Sequence, residues 1–108
     1  MEKLYAMARG YKKRYPRGDE PFQMAARLLE ECGEAASEIN LWKDSGIKRQ
    51  KRGEPRKEDL AKEIKQALAA LMQIAVYYET ENELEVSIDE TLERMKEEGL
   101  LACHRFPY

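Results

Sequence analysis

Apolar residues return every three or four positions through most of this chain, and no stretch alternates apolar with polar at period two. That periodicity restricts the chain to helices packed side by side, so the expected fold class is all-α. Four helices are predicted. The first covers Lys3 to Tyr15 and ends at YPRGDEP, where Pro16, Gly18 and Pro21 interrupt the pattern. The second has Asp19 at or near its N-cap, carries Pro21 in its first turn, where a missing N–H costs nothing, and runs to about Trp42. The polar, basic stretch KDSGIKRQKRGEPRK then reads as a loop. Pro55 starts a third helix with a wide apolar stripe of Leu60, Ile64, Ala67, Leu68, Leu71, Ile74, Ala75 and Tyr78. The capping-box pattern SIDE, Ser87 with Glu90, opens a fourth that Gly99 closes. The expected architecture is one domain over 1–108: a small bundle of about four helices, two long and two lesser, with a loose tail at 101–108.

Length makes self-association part of this expectation. A chain of 108 residues buries only a modest core. The third helix is apolar over more of its circumference than one neighbour can cover, which predicts a homo-oligomer, a dimer or a tetramer. Charged residues make up 37% of the chain but nearly cancel, leaving a net charge of -2. This fits a soluble helical protein, and without a basic field no nucleic-acid partner is indicated. No run approaches the span of a bilayer and the N-terminus lacks the layout of a leader, so no membrane partner and a cytoplasmic setting are expected. Cys32 and Cys103 have no CxxC spacing and read as packing or incidental thiols, and Cys103 with His104 is too little to close a metal site.

The second helix poses a charge problem. LLEECGEAASEI holds Glu30, Glu31, Glu34 and Glu38, and like charges three or four apart on a helix cost roughly 0.2 to 0.5 kcal/mol per pair. At about 100° per residue, Glu31, Glu34 and Glu38 form a row bordering an expected apolar face of Ala25, Leu28, Leu29, Cys32, Ala36 and Ile39. Glu63 falls within the apolar stripe of the third helix, where a lone carboxylate is costly to desolvate. If the two long helices run antiparallel, Glu63 can face Glu31 and Glu34, and a Mg²⁺ or Mn²⁺ ion would compensate the charges. A plainer alternative stays open: Arg27, four residues before Glu31, together with the basic loop, neutralises a solvated acidic face of no chemical purpose.

These segments resemble a known family. LLEECGEAASEI resembles the EExxE helix of the MazG-type, all-α nucleoside triphosphate pyrophosphohydrolases, and KEIKQALAALMQIA resembles their second helix, which bears ExxD. The resemblance covers roughly residues 20–80, and Gly33 inside the first motif suggests a close helix contact there. It implies Glu31, Glu34 and Glu63 as metal ligands and Glu30 and Glu34 as the carboxylates serving the attacking water. At the family's aspartate this chain has Gln66, which offers one neutral carbonyl oxygen in the fourth ligand's place. The implied reaction is Mg²⁺-dependent hydrolysis of a nucleoside triphosphate to the monophosphate and pyrophosphate.

Substrate-binding candidates follow from that reaction. Lys43, Lys48 and Arg49, with Lys51, Arg52, Arg56 and Lys57, could meet phosphate oxygens, and Trp42 could stack on a base. The bland readings are a solvated loop and a core or interface tryptophan. Two other functions remain open: a non-catalytic nucleotide- or metal-binding regulatory dimer of the same fold, weakened by Gln66, and a purely structural helical interaction protein.

Overall fold

The computed structural model describes residues 1–17, 20–43 and 53–101. It is all-α, with helices α1 (Glu2–Arg14), α2 (Pro21–Trp42), α3 (Lys57–Tyr77) and α4 (Glu81–Glu97). The chain divides into two compact units, Met1–Tyr77 and Tyr78–Tyr108. Among the described residues, no helix is long and apolar enough to cross a membrane.

In the first unit α3 packs against both α2 and α1. The N-cap of α2 is Glu20, whose carboxylate accepts from the Gln23 N–H at 3.2 Å, while Pro21 occupies the first turn as its sequence position requires. Asp19, the expected cap, lies outside the described residues, as does most of the basic loop. Helix α3 starts two residues after Pro55, and the Arg56 carbonyl accepts from the Asp59 and Leu60 N–H groups.

The second unit consists of α4 and its C-terminal turn. Its helix begins at Glu81, six residues ahead of Ser87, so the SIDE motif lies inside the helix and caps nothing. There the Thr91 hydroxyl donates to the Ser87 carbonyl at 3.1 Å, the back-bonding that hydroxyl residues adopt within a helix. The expected C-terminal stop holds. Gly99 takes φ +76, its N–H donates to the Lys96 carbonyl, and the Leu100 N–H donates to the Met95 carbonyl at 2.8 Å. This six-to-one and five-to-two pair is the Schellman closure, and its left-handed residue favours glycine.

The apolar faces differ most from expectation. On α2 the buried residues are Met24, Glu38 and Leu41, with Leu28, Glu31 and Ala35 half-buried between them. The expected core face points outward instead: Leu29 is 75% exposed, Ile39 53% exposed, and Ala25, Cys32 and Ala36 are all exposed. On α3 the buried set is Ala69, Ala70, Met72 and Ala75, whereas Ile64, Leu68 and Leu71 are exposed. The reason is numerical. Three packed helices offer too little surface to cover two broad stripes, and small alanines allow α3 its closest neighbours. Gly33 is exposed and a Cβ there would meet nothing within 4 Å, so it marks no close contact in this unit.

Candidate metal centre

Helices α2 and α3 run antiparallel. Arg27 of α2 donates through Nη1 to Gln73 Oε1 of α3 at 3.1 Å, and further along α2 the partner residue on α3 is the earlier Glu63. This register decides which side chains meet. One carboxylate oxygen from each of Glu31, Glu34 and Glu63 lies within 4.8 Å of the others. Glu31 and Glu63 are half-buried and Glu34 is exposed, so the cluster sits at the rim of the α2–α3 seam.

Electrostatics in the cluster are unfavourable without a cation. Glu31 Oε2 and Glu63 Oε2 are buried with no hydrogen-bond partner. Burial raises the Glu31 carboxyl above its usual value of 4.5, and the charges of Glu34 and then Glu30 push it further, with Arg27 opposing. Glu63 is raised by burial first, then by a hydrogen bond shared with Glu34 and the charges of Glu34 and Glu31, with Lys62 opposing. Arg27 therefore tempers Glu31 without cancelling the cluster, and its guanidinium is engaged by Gln73. Buried, unpartnered oxygens on converging carboxylates form a donor set suited to a hard divalent cation.

A pH prediction follows from these directions. Because folding raises both carboxyl groups, the folded chain binds protons more readily than the unfolded one between pH 4.5 and the raised values. Their contribution to stability is thus present below about pH 4.5 and is lost as pH rises through the folded values. Thermal melts in chelator should show a Glu31→Gln/Glu63→Gln double variant gaining on wild type as pH rises from 4.5 to 7. A gap that stays constant over that range would contradict the shifts.

The other candidates are distributed as follows. Glu30 is exposed and outside the three-carboxylate cluster, though its charge reaches Glu31. Gln66, one turn after Glu63, is half-buried and lines a cleft of about 270 Å³ beside Glu31. Trp42 and Lys43 are exposed at the end of α2, about 12 Å along the helix axis from Glu34, and neither lines that cleft. Arg56 and Lys57 are exposed, and Arg56 approaches Glu58 at 3.9 Å. Lys48, Arg49, Lys51, Arg52, Cys103 and His104 lie outside the described residues.

Sequence reasoning missed the cleft. Tyr11 of α1 and Tyr15 at its C-cap contribute to it, with Arg27 and Glu31 of α2 and Gln66 and Gln73 of α3. The available signal was the pair of glutamines seven apart on α3, which places two amides on one side of a helix otherwise rich in alanine. No family model, curated protein or solved structure matches the chain.

Proposed function

We propose that this chain is a Mg²⁺- or Mn²⁺-dependent nucleoside triphosphate pyrophosphohydrolase of the MazG type, acting on NTPs or dNTPs in a house-cleaning role. The observation that carries this reading is the convergence of Glu31, Glu34 and Glu63, with two buried oxygens left unpartnered, on the positions that the resemblance nominates. Glu31, Glu34 and Glu63 would hold the ion, and Gln66 would add a carbonyl oxygen from the next turn. When bound, the ion would neutralise phosphate charge and lower the pKa of a coordinated water. Glu34 and Glu30, both exposed, would accept the proton of the attacking water. Water oxygen bonds to phosphorus, the anhydride bond between the α and β phosphates breaks, and pyrophosphate leaves with the electron pair. Lys43 at the end of α2, with Lys48 and Arg49 after it, would meet phosphate oxygens, and Trp42 would offer an aromatic face. A cytoplasmic setting accords with such a substrate. The experiment is pyrophosphate release from a nucleotide panel with Mg²⁺: release that requires Glu34 supports the reading, and none from any nucleotide removes it.

One residue favours a second reading. Gln66 replaces an anionic ligand by a neutral one, which weakens attraction for a cation, so the chain could be a non-catalytic nucleotide- or metal-binding regulator. Gln66→Asp separates the two. A weakened working centre gains: pyrophosphate release at limiting Mg²⁺ rises severalfold. No gain together with a lower Tm would favour the regulator.

Self-association belongs to the same proposal. Phe22, Ala25, Leu29, Cys32, Ala36 and Ile39 are spaced three and four apart, and all are exposed along α2. Ala61, Ile64, Leu68 and Leu71 repeat that spacing along α3, again exposed. Alternating spacings of three and four make the seam by which helices pack with other helices. A second copy, carrying the same two seams, would cover them and complete a larger bundle.

A further inference from the structure

Charge is unevenly placed along this chain, and the small net total conceals it. Residues 1–17 carry Lys3, Arg9, Lys12, Lys13, Arg14 and Arg17 against the single acid Glu2. The dipole of α1 accounts for only part of this excess. Lys12, Lys13 and Arg14 fall in its last turn, where cations complement a macrodipole equivalent to about half an elementary charge. Three full charges exceed that severalfold, and Arg9 lies before the last turn, where the dipole no longer acts.

Three of these cations meet at one hollow. Arg9, Lys12 and Lys13 line it together with Pro16 and, from α3, Val76, and its volume is about 410 Å³. Among the described residues no carboxylate lines it, and the side chains of Lys12 and Lys13 have no ion-pair partner. Arg9 is held in place by stacking: its guanidinium carbon lies 5.7 Å from the centroid of the Tyr5 ring, and Tyr5 is buried. Proline and valine supply the apolar remainder, so the polar side chains of the hollow are all cationic.

Chemistry and size narrow the ligand. A guanidinium offers phosphate a planar pair of donors and each ammonium adds a point charge, so three of them call for an anion of several charges. The volume falls within the roughly 300 to 1,000 Å³ of small-molecule sites, which suits a compact anion. No aromatic side chain lines the hollow, so a base has nothing to stack on and neither a nucleotide nor a nucleic-acid strand is favoured. The hollow is also separate from the carboxylates. Val76 stands about 20 Å beyond Glu63 along the axis of α3, and none of the five lining residues lines the cleft beside Glu31.

We propose that the α1 hollow is a second, metal-independent site, and that it binds a short inorganic condensed phosphate through Arg9, Lys12 and Lys13. The test is calorimetric titration of inorganic tripolyphosphate into the metal-free protein at low ionic strength, where screening is weak. Without metal the carboxylate cluster repels anions, so the titration reports the hollow. Wild type should bind saturably at one site, and Lys12→Gln/Lys13→Gln should weaken binding at least about tenfold. Arg14→Gln/Arg17→Gln makes the same change of charge outside the hollow and should weaken it at most about threefold. All four side chains are exposed, so both double variants should keep the helical signal of the wild type. ATP and a short oligothymidylate should bind no tighter than tripolyphosphate. Absence of saturable binding, an equal loss in the two double variants, or tighter binding of ATP or of the oligothymidylate would overturn the proposal, the second because it reveals only a diffuse basic field.

Discussion

Replacing Glu63 by glutamine is expected to lower pyrophosphate release by more than about 100-fold while making the metal-free chain melt higher. The two effects have one origin. In the proposed function Glu63 is a ligand from α3 that meets Glu31 and Glu34 of α2, and outer-shell partners alone typically contribute 10 to 100-fold to metal sites. Without metal, the same carboxylate is desolvated, has Oε2 unpartnered, and is repelled by its two neighbours. Glutamine has nearly the same shape and no charge, so it relieves that repulsion. A relief of about 1 kcal/mol would raise Tm by roughly 4 to 8 °C in a domain this size. Opposite signs on activity and stability are what separate a functional carboxylate from a structural one. If Glu63→Gln and Glu34→Gln both lower Tm in chelator, these residues are partners of basic groups and the metal-centre reading fails.

A charge on the outward seams should have the second large effect. Light scattering of the wild type at micromolar concentration is expected to give at least twice the chain mass, and Leu29→Glu or Leu68→Glu to give a single chain. Leu29 and Leu68 are exposed within the three-and-four spacing of α2 and α3. Burying such a side chain contributes roughly 1.5 to 3 kcal/mol, and Phe22, Ile39, Ile64 and Leu71 lie on the same two seams, so a second copy has much apolar surface to remove from water. An introduced carboxylate would have to be buried without a partner. Because neither leucine is in the core of the first unit, the variants should keep their helical content. A wild type that is a single chain at that concentration would contradict the seam assignment.

Those seams also show where sequence reading succeeded and where it could not. Helix positions were legible because Pro21, Pro55 and Gly99 punctuate a strong three-to-four period. The antiparallel meeting of Glu31, Glu34 and Glu63 was legible because repelling carboxylates on one sector require a common solution. What periodicity cannot assign is which of two apolar stripes packs inside the chain. On α2 the set from Phe22 to Ile39 is the more apolar, yet the inward seam is Met24, Leu28, Glu31, Ala35, Glu38 and Leu41, with two glutamates at core positions. A rule that places the most hydrophobic face inward picks the wrong one on α2, where Leu29 and Ile39 are exposed. SIDE misled for a related reason: a capping box is only a local pattern, and the helix that starts at Glu81 passes through it. The cleft depended on Tyr11 of α1 and on Tyr15 at its C-cap, which carry no chemical motif and gain meaning only from the glutamines that line the cleft with them.

The central claim, that Glu31, Glu34 and Glu63 hold a divalent cation, is tested most directly by calorimetric titration of Mn²⁺ into metal-free protein at pH 7. Wild type is predicted to bind the ion saturably, and the Glu31→Gln/Glu63→Gln double variant to give no saturable binding. An isotherm that is unchanged in the double variant, or no saturable binding by the wild type, would contradict it.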